Sequence, residues 1–271
     1  MHRTEVITCP PRKMPPVVGK IICGDNCDVL GRFPDDCIDL VVTSPPYDNL
    51  RDYGGHAWDF YGVAWQLKRV LKPGGVIVWV VGDATVDRSE TGTSADQAKH
   101  FRRLGLLQHD TMIYGKNNPV PLTHNRYEQA WEYMFIFAKG APRVWNPILR
   151  QNRLAGAKNN RKSANATGDT KAIRQRDEIT IVGKKSFKHN AWFYNLAQRV
   201  KGHPATFPEA LAADHIKSWS NEGDLILDPF NGSGTTTAMA CKLKRRFIGI
   251  EVDPTYCELA VRRMGEKGFF A

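Results

Sequence analysis

Short apolar runs bounded by Gly, Pro, Asp and Ser recur along the chain, and between them lie segments with apolar positions three and four apart. Residues 20–23 read as a strand ending in Gly24-Asp25, followed by a short helix over 27–32. Residues 38–42 read as a buried strand that runs straight into Thr43-Ser44-Pro45-Pro46-Tyr47. The stretch 48–56 is rich in Gly and Asp and reads as a loop. Over 59–71 the side chains of Val63, Leu67, Val70 and Leu71 share one helical face. Lys72-Pro73-Gly74-Gly75 stops that helix, and 76–81 is the next strand. A helix over 95–104 and strands over 107–114 and 131–137 follow. From about 142 to 188 the pattern dissolves into a polar, basic segment rich in Arg, Asn and Gly, of which 150–169 is expected to be mobile when unliganded. Order returns as a helix over 208–220, a strand over 225–227 ending in Asp228, and a helix over 232–242. A strand over 247–250 ending in Glu251 and a helix over 256–264 complete the series. Strands alternating with helices predict a parallel α/β sheet covered on both faces.

Composition adds exclusions. The 271 residues are 42% apolar and 24% charged, which is globular and neither fibrous nor wholly disordered. No apolar run approaches the roughly 20 residues of a membrane span, so no membrane partner is expected. The first residues lack the apolar stretch of a signal peptide. Six cysteines in a chain of this size read as reduced thiols of a cytoplasmic protein, not a disulfide framework. Cys23 and Cys27 have no second ligand pair to complete a zinc site, and no metal is expected.

Charge changes the picture more. The chain has 38 Lys and Arg against 28 Asp and Glu. Between residues 139 and 201 stand 15 of those bases and only 3 acids, so the rest of the chain is slightly acidic. A near-neutral body with one basic block suits a polyanion, nucleic acid first. Arg150, Arg153, Lys158, Arg161, Lys162, Arg174, Arg176, Lys184 and Lys185 are the candidate contacts. Trp145, Phe187, Trp192, Phe193 and Tyr194 are interleaved with the bases and suit stacking on nucleobases. A solvated basic insert with no ligand is the plain alternative.

Two strand ends carry chemistry. The first is Asp228-Pro229-Phe230-Asn231-Gly232-Ser233-Gly234-Thr235-Thr236, a strand entering a glycine turn before a helix. Seventeen residues after Gly234, Glu251 ends the next strand, where an acid can bond both hydroxyls of a ribose. The dinucleotide pattern G-x-G-x-x-G fails because its third glycine position is Thr237, and no Gly-Lys-Ser/Thr follows to make a phosphate loop. The second is Ser44-Pro45-Pro46-Tyr47. Consecutive prolines stiffen the backbone and leave carbonyls as fixed acceptors. With the Ser44 hydroxyl and the Tyr47 ring they suit a planar group bearing an NH2. A proline-stiffened loop with a core tyrosine is the bland alternative.

Together T-S-P-P-Y, D-P-F-N-G-S-G-T-T and I-G-I-E resemble the S-adenosylmethionine-dependent DNA amino-methyltransferases, which methylate cytosine N4 or adenine N6. The order, catalytic motif first and a basic insert before the cofactor motif, is similar to the circularly permuted β class. The likeness spans residues 21 to 263. It implies a Rossmann-like methyltransferase fold with a mixed seven-stranded sheet and helices on both faces. Residues 18–140 would be the catalytic half, 141–200 a basic target-recognition insert, and 201–271 the cofactor half. The resemblance implies Ser44, Pro45, Pro46 and Tyr47 as catalytic. It implies Asp228, Pro229, Phe230, Gly232, Ser233, Gly234 and Thr235 at the cofactor, with Glu251 on the ribose and Asp253 as a further candidate. His203, Pro204, Ala205 and Phe207 match a segment lying against its methionine part. Asp25 matches the acid that accepts from the adenine amine; capping the next helix explains it equally, and both can hold.

The chemistry would then be as follows. Ser44 and the Pro45 carbonyl accept the two hydrogens of an exocyclic amine whose lone pair is otherwise delocalised into the ring. Positioning and electrostatic preorganisation supply most of the rate, and no covalent enzyme intermediate is needed. The base must be extruded from double-stranded DNA to react, and Tyr47 would stack on it. Arg51, Asp52 and Tyr53 are candidates to close over it. Ser at the first catalytic position resembles the cytosine N4 enzymes more than the adenine N6 ones. An RNA or protein-glutamine acceptor, or a non-catalytic DNA-binding relative, remains open, as does an accompanying restriction endonuclease. The resemblance also allows a homodimer, in a bacterial, archaeal or phage-encoded setting.

Overall fold

β-Branched residues fill the apolar runs, and each run pairs into one sheet. The computed structural model describes residues 6–8, 18–46, 58–119, 121, 126–159, 180–181, 183–196 and 208–266. Two compact units emerge, Met1–Asn146 with Asn190–Ala271, and Pro147–His189.

The first unit opens with β1 (Val6–Thr8), β2 (Lys20–Cys23), α1 (Asn26–Leu30), β3 (Ile38–Thr43), α2 (Phe60–Val70) and β4 (Leu71–Val81). A small hairpin, β5 (Thr85–Val86) and β6 (Ser89–Glu90), precedes α3 (Thr93–Arg103), β7 (Leu107–Lys116) and β8 (Trp131–Ala138). In the second unit β9 (Leu149–Gln151) pairs with β12 (Lys185–Phe187), and β10 (Lys158–Asn159) with β11 (Thr180–Ile181), both antiparallel. The first unit resumes with β13 (Ala191–Tyr194), α4 (Glu209–Trp219), β14 (Leu225–Asp228), α5 (Thr235–Lys242), β15 (Arg246–Glu251) and α6 (Pro254–Glu266).

Among the described residues nine strands form the main sheet, in the order β1-β2-β15-β14-β3-β4-β8-β7-β13. The seven from β2 to β7 are those expected, and β1 and β13 extend the two edges. Only β8 runs against its neighbours, so the sheet is mixed and the other eight strands end on one edge. Every residue of β3 is buried, as expected for a strand with both faces covered. Val29 and Leu30 of α1, Val63, Leu67 and Val70 of α2, and Ala98 and Phe101 of α3 share one core with Val41, Ile77, Leu227 and Ile248. Helices α4, α5 and α6 pack in a row, and since strand side chains alternate, Leu40, Val42 and Ile226 are buried on the opposite face from Val41 and Leu227.

One boundary differs from the sequence pattern. Lys72-Pro73-Gly74-Gly75 does not separate α2 from β4 but lies within β4, where Ile38 pairs with Leu71 and Leu40 with Val76. The four residues are accommodated as an irregularity, with Gly74 at φ +74° and its N–H donating to Lys139 O at 2.6 Å. At this end of the sheet Asp39 is buried and fully engaged. It accepts from Lys72 Nζ at 2.8 Å, Arg143 Nη2 at 2.7 Å and the Leu225 N–H at 2.9 Å. Among the described residues no helix is long and apolar enough to cross a membrane.

Candidate active site

The two motif-bearing strands are neighbours. β14 lies parallel to β3, with Ile226 opposite Leu40 and Leu227 opposite Val41, so both motifs leave the sheet at the same edge. Ligand crevices of open α/β sheets lie at such an edge. Beyond the pairing, Thr43 Oγ1 donates to Asp228 Oδ1 at 2.7 Å, and Thr236 Oγ1 donates to Val42 O at 3.1 Å. The Phe230 N–H also donates to Asp228 Oδ1, at 3.1 Å. Ser44 and Pro46 are half-buried and Pro45 is buried. Tyr47 and the 51–53 segment lie outside the described residues.

Asp228 is a carboxylate held inside the protein. Burial pushes its pKa up to about 6; bonds from Thr43 and the Phe230 N–H oppose the rise, and the Glu251 charge adds to it. Its role in the geometry is to lock the two strand ends together.

The glycine turn is fixed from below. Gly232 and Gly234 have φ of +48° and +82°, which favours glycine at both. A Cβ on Gly234 would lie 2.9 Å from that of Ala260, so this glycine lets α5 approach α6. Asn231 packs on bare Gly249, where a Cβ would come within 2.5 Å of its amide group. Asn231 Oδ1 accepts from Thr237 Oγ1 at 2.9 Å, while Nδ2 is buried with no hydrogen-bond partner among the described residues. Pro229 O accepts from Asn26 Nδ2 at 3.2 Å. Ser233 turns towards α6, its carbonyl and hydroxyl both accepting from Arg263 Nη1 at 2.6 and 2.7 Å. Thr235 is buried at the start of α5.

Glu251 stands across this turn. The Gly232 N–H donates to its Oε2 at 2.7 Å and the Asp253 N–H to its Oε1 at 3.0 Å. Each oxygen keeps a further lone pair, so the pinned carboxylate can accept from two adjacent hydroxyls. Burial raises its pKa, opposed by the N–H bonds of Asp253, Gly232 and Val252. Asp253 Oδ1 accepts from the Thr255 N–H at 2.7 Å at the start of α6. Asp25 caps α1, its Oδ1 accepting from the Asp28 N–H at 3.1 Å, and the adjacent Gly24 N–H donates to Glu251 O at 2.9 Å. The ends of β2, β15, β14 and β3 thus form one continuous rim.

An aromatic wall closes the rim. Phe230 meets Trp58 edge to face at 4.9 Å, and Trp79, opposite Thr43 in the sheet, lies 6.3 Å from both. Trp58 was given no role by the sequence, and Thr43, Asn231 and Thr236 only a place in a motif. A hydroxyl beside each strand end was the available signal for the threonines; nothing marked Trp58. His203, Pro204, Ala205 and Phe207 lie outside the described residues. Of the candidate DNA contacts, Arg150, Arg153, Lys158, Lys184 and Lys185 are exposed in the second unit. Arg161, Lys162, Arg174 and Arg176 lie outside the described residues.

Residues 38–262 match the N6_N4_Mtase family model, described as DNA methylase. The chain belongs to this DNA methylase family. An orphan methyltransferase of Bacillus amyloliquefaciens, M.BamHII, is 45% identical over 238 residues, covering 84% of this chain and 89% of the relative. TTHA0409 of Thermus thermophilus, solved as a complex with S-adenosyl-L-methionine, is 28% identical. That likeness covers 91% of this DNA methylase and 95% of that chain, with a TM-score of 0.60. The cytosine-N4-specific PvuII DNA methyltransferase aligns over 96% and 92% with a TM-score of 0.64; at 17% identity that likeness is one of fold.

Proposed function

We propose that this DNA methylase transfers a methyl group from S-adenosyl-L-methionine to the exocyclic amine of a base extruded from duplex DNA, with cytosine N4 as the acceptor. The observation that carries the reading is the bond between Thr43 and Asp228 across adjacent strand ends. It brings the corner holding Ser44 and Pro45 next to the corner holding Phe230 to Gly234, so a donor and an acceptor can share one crevice.

The residues present fit that cofactor. A carboxylate with a spare acceptor position on each oxygen, an aromatic wall and a buried unmatched amide at Asn231 surround a single turn. Glu251 would hold the ribose hydroxyls, Asp25 the adenine amine through the oxygen it does not use for capping, and Phe230 with Gly232 the methionine end. The cofactor supplies an electrophilic methyl on a sulfonium. On the acceptor side, Ser44 Oγ and the Pro45 carbonyl would accept hydrogen bonds from the two amine hydrogens, which withdraws the nitrogen lone pair from the ring and aims it; one of those protons would leave to solvent once the nitrogen is alkylated, and the other stays on it. The rigid Pro45-Pro46 backbone holds these acceptors in place before the base arrives, so little reorganisation is spent during reaction.

Ser44, a short uncharged acceptor, supports cytosine as the target through the family resemblance. The order of the two motifs supports a circularly permuted chain, and the basic run between them supports a DNA-contacting insert. Incubating the protein with mixed-sequence duplex DNA and S-adenosyl-L-methionine, then digesting to nucleosides for mass analysis, tests the reading. N4-methylcytosine is expected. N6-methyladenine would overturn the choice of base, and no methylated nucleoside would overturn the activity.

A further inference from the structure

The second unit carries a surface whose chemistry the reaction does not use. β9 and β12 form an antiparallel ribbon with Leu149 opposite Phe187, Arg150 opposite Ser186, and Gln151 opposite Lys185. The flanking bonds, Lys188 N–H to Ile148 O at 2.8 Å and Asn152 N–H to Lys184 O at 2.9 Å, fix the phase of the ladder. Arg150 and Ser186 are then the hydrogen-bonded pair, and the pairs on either side are the closer, non-hydrogen-bonded kind. Side chains alternate, so Leu149, Phe187, Gln151 and Lys185 stand together on one face. Leu149 is 50% and Phe187 62% exposed. Gln151 and Lys185 are exposed as well, and neither side chain makes a hydrogen bond or ion pair among the described residues.

The opposite face is spent internally. Ser186 Oγ donates to Asn152 Oδ1 at 2.7 Å, Asn152 Nδ2 donates to Gly183 O at 2.8 Å, and Arg150 Nε donates to Phe187 O at 3.3 Å. One face is therefore stapled, and on the other Gln151 and Lys185 extend as exposed polar side chains. Residues 147–189 contain eleven Lys and Arg against three acids, so the partner that complements this unit is a polyanion.

We propose that the β9–β12 ribbon enters the major groove of duplex DNA and reads the target sequence, with Gln151 and Lys185 on base edges and Leu149 and Phe187 on thymine methyl groups. A two-stranded ribbon fits a groove about 12 Å wide. Gln pairs with adenine N6 and N7, and Lys with guanine O6 and N7. The two side-chain pairs lie about 7 Å apart along the strands, which spans two base steps of about 3.4 Å. Arg153, Lys158 and Lys184 flank the ribbon and suit phosphates, which position without specifying. This assignment rests on the methyltransferase reading above and adds the residues that select the site.

The test uses the full chain. The preferred site of the unaltered protein is first read by long-read sequencing of methylated DNA, and methylation is then measured on duplexes carrying every single-base change of that site. Gln151→Ala and Lys185→Ala are each expected to relax discrimination at one or two adjacent positions by about 10- to 100-fold, with the melting temperature unchanged. Lys184→Ala and Arg153→Ala are expected to weaken all duplexes alike and to lower the salt dependence of binding by about one counterion each. An unaltered preference profile in both the Gln151 and Lys185 variants, with the unaltered protein active, overturns the ribbon assignment alone. Failure of the unaltered protein to methylate any DNA overturns the reading on which it rests.

Discussion

The Thr43 hydroxyl donates to the Asp228 carboxylate at 2.7 Å, with both groups buried and 185 positions apart in the chain. This bond makes a proline corner and a glycine corner into one site. Ser44 inherits its position from Thr43, and Phe230 inherits its position from Asp228 through its own N–H. Any displacement of one corner is felt by the other.

Substitutions on the two corners should separate in kinetics. Ser44→Ala removes an acceptor used when the amine is activated, and kcat is expected to fall by about 100- to 1,000-fold with cofactor affinity largely kept. Glu251→Ala is expected to weaken cofactor binding first, by about 10- to 100-fold from the loss of charged hydrogen bonds. Cofactor titration followed through Trp58, which touches Phe230, together with steady-state rates, checks both. Equal effects on affinity and turnover in either variant would contradict the division of roles.

Asp228 makes stability depend on pH. Its folded pKa of about 6 lies above the ordinary 3.8 because burial disfavours the charged form. Its proton therefore stabilises the native state fully below the unfolded value, and that stabilisation is lost as pH rises through about 6. The loss is on the order of 3 kcal/mol. Asp228→Asn has no proton to lose, so in urea unfolding from about pH 4 to about pH 7 its profile should fall less steeply than the parent's. Parallel profiles would mean that the carboxylate ionises as freely in the folded protein as in the unfolded one.

Gly249 tests the support beneath the turn. A methyl there would come 2.5 Å from Asn231 Cγ and 2.9 Å from Ile21 Cδ1, so Gly249→Ala must push the Asn231 side chain away. A stability loss of about 1–3 kcal/mol is expected, with weaker cofactor binding, since the Gly232 N–H that orients Glu251 is one residue on. Calorimetric melting and cofactor titration measure the two effects; a variant that melts and binds like the parent would show that the turn tolerates the shift.

Asp39 governs stability without touching the site. Asp39→Ala removes the partner of Lys72, Arg143 and the Leu225 N–H at once. The buried N–H then has no acceptor, and a cost of about 3 kcal/mol is expected in denaturant melts. Kd for the cofactor should stay within about twofold, because Asp39 sits at the opposite end of β3 from Ser44.

Much of this was legible in the sequence because it is local. The run 38–42 and the helical face Val63, Leu67, Val70 announce themselves within a dozen residues, and both are buried where expected. The glycine turn carries its own spacing to Glu251. The edge strand β13 was hidden, since Ala191–Tyr194 follows a basic polar stretch and only its pairing with Ile113–Lys116 makes it a strand. The β9–β12 ribbon was hidden for the same reason: three residues per strand are too few to show a period. Thr43 with Asp228, and Trp58 with Phe230, are meetings between distant segments, and no window along the chain contains both partners.

The strand order has a cost during synthesis. β15 and β14 occupy the slots between β2 and β3, although they are made some two hundred residues later. Until the ribosome has released residues 225–251, the two earliest central strands have a gap between them with no partner on the facing edges. The pocket floor is thus the last piece to be threaded in, and a chain cut short ahead of Leu225 would keep its proline corner but leave it beside an open seam.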